Sequence, residues 1–251
     1  MPDAAAAALL AGAALAVGMF IGTVGVGGVL LIPFLMLCGG LTIHAAAATA
    51  LFTFLFTGLL GTYLFKRRGS IDWRLAWPVC AGALPFGYLG TLAAARVDAR
   101  PLTLLIAAII VFAGIQVLRP AGIVAPAGAA SGKSVAASLL AVGAVAGFGA
   151  GLSGAGGPLF SVPMMVLLGF APLAAVGVSQ VLQILASSSA SLAAFGDSRI
   201  DFPLAAWVTL FELAGVVAGA ALAHRVSGVA LRRIAGGLCV AVGTFMLSRS
   251  L

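Results

Sequence analysis

Apolar runs of about 17 to 24 residues follow one another along this 251-residue chain, separated by short polar breaks. A helix of that length crosses the hydrocarbon of a bilayer. Inside lipid every backbone N–H and C=O must find a partner within the chain. Long Ala/Leu/Val runs meet that demand as helices, and the ten-residue alternating strands of a barrel are absent from the pattern. Composition agrees: the chain is 63% hydrophobic and 8% charged, whereas soluble domains run at about half apolar and about a quarter charged. The expected fold is therefore an all-α polytopic membrane protein.

Ten segments are expected, some too short to cross unaided. Five lie at about 4–22, 28–39, 43–65, 73–95 and 101–118, and five at about 134–151, 157–169, 172–195, 202–223 and 229–247. Between the sets, Arg119–Lys133 is rich in Pro, Gly and Ser and reads as a linker. This divides the chain into a first transmembrane repeat (1–120), a linker (121–133) and a second repeat (134–251). The N-terminal run lacks a positive leading region and carries an early Asp3, so it reads as part of the fold and not as a signal peptide.

The net charge of +7 sits between the apolar runs. It reads as a topology signal, not as a nucleic-acid surface. Cys38, Cys80 and Cys239 each lie alone in an apolar run, so neither a disulfide framework nor a metal site is expected. No cofactor motif is visible.

The two sets superpose at one constant offset of 129. Gly18, Gly22, Gly25, Gly27 and Gly28 fall on Gly147, Gly151, Gly154, Gly156 and Gly157, and Ile71–Ala76 falls on Ile200–Ala205. Tandem duplication is a common build of secondary transporters. With an odd number of crossings per half, nine basic residues fall on one side and four on the other; with an even number, eight and five. Positive residues favour the cytoplasmic side, so the count leans towards inverted repeats.

The glycine stretches Gly22–Pro33 and Gly151–Pro163 interrupt the runs at matching places. The segment after the first is about 18 Å long as a helix, too short to cross alone, so the breaks are expected at membrane depth. Irregular backbone there lines a cavity or is buried by protein. Glycine allows positive φ and close approach, and a restarting helix aims free N–H groups into the break. Such a terminus suits an anion. Gly25, Gly27, Gly28, Ser153, Gly154, Gly156, Gly157 and Pro158 are therefore candidate substrate-binding residues, with Pro158 acceptable in a first helical turn. Gly18–Gly22 and Gly147–Gly151 are GxxxG pairs and read as helix packing.

Polar residues follow each break. Ser179, Gln180, Gln183, Ser187 and Ser191 mark the segment 172–195, and Thr49, Thr53 and Thr57 recur at i+4 in 43–65. Gln180, Gln183, Ser187 and Ser191 share one helical face. Such a stripe either binds a substrate's oxygens or joins helices. Thr49, Thr53, Ser179, Gln180 and Gln183 are taken as substrate-binding candidates. Glu212 is the acidic residue deep in an apolar run, opposite Ala83 at the offset of 129. An intramembrane carboxylate is a functional candidate by default, here for coupling to a proton or another cation. Asp72 and Asp201 start segments and read as N-caps. His44 is placed at the membrane interface.

These residues resemble the TauE/SafE sulfite exporter family, also described as a sulfonate and sulfite permease family. The resemblance rests on the stretch Gly22–Pro33, its repeat Gly151–Pro163, the two IDxxLA segments and the size, and covers nearly the whole chain. It implies about eight helices in two halves, a transport path at the glycine stretches and a small anionic substrate such as sulfite or a sulfonate. The expected protein is thus a multi-pass secondary transporter of the cell inner membrane, in contact with lipid, with homo-oligomerisation left open. No Arg or Lys is embedded at membrane depth to neutralise an anion, so backbone dipoles and amides would have to serve. An anion channel or a non-catalytic membrane assembly or insertion factor are the alternatives. An enzyme is disfavoured, because no His/Asp/Glu or Cys/His cluster lies at membrane depth.

Overall fold

The computed structural model describes residues 4–25, 27–118, 132–195, 200–222, 237, 240–241 and 243–248. All regular structure among them is helical. The elements are α1 (Ala4–Val24), a 3-10 turn (Gly28–Leu30) leading into α2 (Leu31–Leu37), α3 (Ile43–Arg67), α4 (Trp73–Ala95), α5 (Ala99–Leu118), α6 (Gly132–Ser153), α7 (Pro158–Leu167), α8 (Pro172–Phe195) and α9 (Phe202–Leu222). Seven of these are long and apolar enough to cross a membrane; Gly28–Leu37 and Pro158–Leu167 are shorter. Most of the linker and most of the run 229–247 lie outside the described residues.

Local chemistry sets the ends. Thr42 caps α3 by accepting from the Ala45 N–H, and Asp72 caps α4 by accepting from the Arg74 N–H at 2.9 Å. Asp201 Oδ1 accepts from the Leu204 N–H at 3.0 Å, so both aspartates act as N-caps. Lys66 and Arg67 occupy the last turn of α3, where a cation opposes the partial negative charge of the helix terminus. Gly69 follows with φ +66° and stops the helix.

Backbone-to-backbone contact at glycines welds two helix pairs. Along α1 and α9, a side chain at Gly18 would collide with the Glu212 backbone and one at Gly22 with the backbone at Val216 and Ala220; Gly215 and Gly219 meet Leu15 and Met19 in return. Residue numbers rise together, so the two helices are parallel. α4 and α6 make the same parallel contact, Gly143 against Val79, Gly147 against Ala83 and Gly151 against Gly87. Small residues at such positions let helices approach closely in lipid. Between these pairs, α3 and α8 cross antiparallel: Phe54 meets Gln183, Gly58 and Gly61 meet Gln180, and Phe65 packs with Val176.

Each glycine break reverses the chain. A Cβ at Gly27 would lie 2.7 Å from Phe20 Cβ and 3.2 Å from Val17 O, ten residues earlier. α2 thus returns along α1, and Gly39 reaches Leu204 at the start of α9. Gly149 meets the ring of Phe160 across the second break in the same manner.

Candidate functional site

The two breaks meet at one side chain. A Cβ at Gly28 would stand 2.7 Å from Phe54 Cζ and 3.0 Å from the carbonyl oxygen of Ala155 in the second break. A Cβ at Gly156 would stand 3.4 Å from Phe54 Cδ2. The fully buried Phe54 ring, midway along α3, fills the space between the breaks. A phenyl ring thus stands where the two glycine stretches meet.

The glycines serve two different needs. Gly25, Gly154 and Gly156 have φ of +74°, +70° and +81°, which side chains disfavour. Gly27 is extended at φ 168° and Gly157 is helical at φ −63°. For those two, positive φ is not the reason for glycine. Space is: Phe20 crowds Gly27, and Leu182 crowds Gly157. Pro158 opens α7, where its missing N–H has no partner to lose. Ser153 Oγ donates to Gly149 O at 2.6 Å and accepts from the Ala155 N–H at 3.3 Å, closing the second break.

Beside Phe54 lies a polar layer contributed by α8 and α3. Gln183 Nε2 donates to Phe54 O at 3.0 Å and to Thr57 Oγ1 at 2.8 Å. Gln180 Nε2 donates to Ile21 O at 3.2 Å, a carbonyl just before the first break that also accepts from the Gly25 N–H at 3.1 Å. Gln180 Oε1 receives no hydrogen bond and lies against Gly61, where any side chain would collide with it. Ser161, Ser187 and Ser191 also hold buried hydroxyls without partners. Buried polar atoms are normally paired, and these four depart from that rule. Ser179 Oγ donates to Val176 O at 2.7 Å, and Gly25 approaches it closely.

The remaining candidates separate from this centre. Thr49 Oγ1 accepts from the Asp201 N–H at 3.1 Å and ties α3 to the start of α9. Glu212, in the middle of α9, is fully buried and neither carboxyl oxygen has a hydrogen-bond partner. The Thr53 hydroxyl lies beside it yet donates to Ala50 O at 2.9 Å. His44 Nε2 meets Val97 O at 3.0 Å, near a cavity of about 20 Å³ lined by Thr91, Gly151 and Leu102 among others, room for about one water. Among the described residues no three His, Cys, Asp or Glu side chains stand together as metal ligands.

Phe54 and Gly61 escaped the sequence reading. An apolar ring and a helical glycine inside a membrane helix look like ordinary packing. The available signal was positional, since Phe54 stands 129 residues before Gln183.

A family model described as sulfite exporter TauE/SafE matches residues 10–246. Neither a curated protein nor a solved structure matches the chain.

Proposed function

The chain belongs to the sulfite exporter TauE/SafE family, and from that premise we propose that it is a secondary transporter carrying a small sulfur-containing anion across the inner membrane. Its class is that of a multi-pass membrane transporter, not an enzyme. The substrate would pass where the two glycine breaks meet, with Phe54 as the plug that must move. Gln180, Gln183 and Ser179 would contact its oxygens from α8, and the backbone of Gly27, Gly28, Gly156 and Gly157 would supply N–H groups. The observation that carries this reading is the convergence of both breaks on Phe54, whose carbonyl oxygen accepts from the buried Gln183 amide.

We also propose that the halves are inverted repeats. Helix starts recur at the offset of 129, Ile43 against Pro172 and Trp73 against Phe202. Packing partners exchange accordingly: α1 on α9 answers α6 on α4. The equivalent helices α3 and α8 run antiparallel, which an axis along the membrane normal forbids and an axis in the membrane plane requires. The hydrogen bond from Gln183 to Phe54 joins two positions one offset apart, where such an axis would pass. Lys66, Arg67 and Arg68 then lie at the cytoplasmic end of α3.

The test is a stability screen of the purified protein against sulfite, sulfonates, sulfate and carboxylates, followed by flux of the best ligand into proteoliposomes. Sulfite or a sulfonate should raise the unfolding temperature and be transported. Stabilisation by carboxylates alone would overturn the substrate class, and absence of flux for every stabilising anion would overturn the transporter reading.

A further inference from the structure

We propose that Glu212 is a proton-binding site that couples movement of the α1–α9 pair to transport. This rests on the transporter reading above. Three observations converge. Glu212 is wholly buried and its two carboxyl oxygens lack hydrogen-bond partners. It stands on the helix that α1 grips backbone to backbone at Gly18, Gly22, Gly215 and Gly219, so α1 and α9 move as one body. Its neighbour Thr53 belongs to α3, across the boundary between that body and the α3–α8 centre.

Among the described residues no cation reaches the carboxyl from the packed elements. Among the described residues α1 carries no titratable side chain. On α3 the titratable groups are His44, held at Val97 O, Tyr63, over which Arg67 stacks, and Lys66 and Arg67 in the last turn. Arg68 donates to Ala220 O near the end of α9, two turns beyond Glu212. An isolated ionised carboxylate is very costly in such surroundings, whereas the neutral acid is tolerated. A proton on Glu212 would suit this packed arrangement. The Thr53 hydroxyl, committed as a donor to Ala50 O, retains lone pairs that can accept that proton's hydrogen bond. Sliding α1–α9 past α3 would open the carboxyl to water on one side and release the proton there. Return would need a proton taken up from the other side. The offset-129 partner is Ala83, buried in the α4–α6 contact, so one half carries the proton site.

The test uses the full-length purified protein. Infrared difference spectra between high and low pH should contain a protonated-carboxyl band that disappears in Glu212→Gln and shifts in Thr53→Val; a spectrum unchanged in both variants overturns the proposal without any substrate present. In proteoliposomes loaded with labelled sulfite, an imposed pH gradient should speed wild-type net flux at least tenfold. Glu212→Gln should lose that acceleration while keeping sulfite–sulfite exchange within about threefold. A variant still driven by the gradient overturns the proton site. Wild-type protein that neither binds nor moves any sulfur anion, with the infrared band intact, would overturn the substrate reading and leave the proton site standing.

Discussion

Replacing Gly28 by alanine tests whether the two breaks really converge on Phe54. The added Cβ would lie 2.7 and 2.9 Å from Phe54 Cζ and Cε2 and 3.0 Å from Ala155 O. Carbon atoms prefer about 3.5–4.0 Å, so the ring must retreat by roughly 0.8 Å or more. Phe54 is fully buried and has nowhere free to go. Overpacking of this kind costs about 1–3 kcal/mol. At about 2–4 °C per kcal/mol for a chain of this size, the unfolding temperature in detergent should fall by roughly 2–12 °C. Phe54→Leu shortens the obstacle at a cost of about 1–2 kcal/mol of its own. In that background Gly28→Ala should be nearly silent, giving a coupling of about 1–2 kcal/mol in the double-mutant cycle. Flux follows a different course, because the leucine no longer plugs the path and leak of the substrate should rise. Strict additivity of the two stability effects, or a neutral Gly28→Ala, would refute the convergence.

Three further outcomes are expected. Gly156→Ala has room for its Cβ but must hold φ near +81°, so it should cost about 1–2 kcal/mol with no rescue by Phe54→Leu, measured by the same melting curves; Gly156→Val and Gly27→Val should abolish flux while the protein still inserts. Gln183→Leu removes two hydrogen bonds, to Phe54 O and to Thr57 Oγ1, while the Thr57 hydroxyl keeps its own bond to Phe54 O; the loss of about 1–3 kcal/mol should appear as lower stability and weaker sulfite protection. In a chain freed of its own cysteines, Arg96→Cys should react with an impermeant maleimide applied outside intact cells and Arg67→Cys only after permeabilisation; the reverse pattern would overturn the placement of the α3 C-terminal end in the cytoplasm.

Much of the helical framework was legible along the chain because membrane helices are local objects. Hydrocarbon thickness dictates their length, and the glycine, proline and capping residues that end them lie within a turn of the end. So the runs expected at 43–65, 73–95, 172–195 and 202–223 appear as α3, α4, α8 and α9 with boundaries within two residues. Asp72 and Asp201 cap as their positions implied. The GxxxG pairs do pack helix on helix, since absence of a side chain has one cheap use in lipid.

Contacts between helices are another matter. Nothing in the local pattern says that Gly28 and Gly156 share one phenyl ring, or that Thr49 braces α9 while Thr53, four residues on, faces Glu212. Those outcomes depend on how α3 crosses α8, and a crossing is the joint result of two surfaces far apart in sequence. The charge count alone left the repeat direction close to balanced, because a few arginines in loops add little energy each. The antiparallel run of α3 and α8 favours one direction more strongly, through dozens of buried side chains that fit only one way. The same reasoning separates the glycines. Whether Gly27 is needed for its φ or for Phe20 beside it can be told only once the chain has turned back on itself.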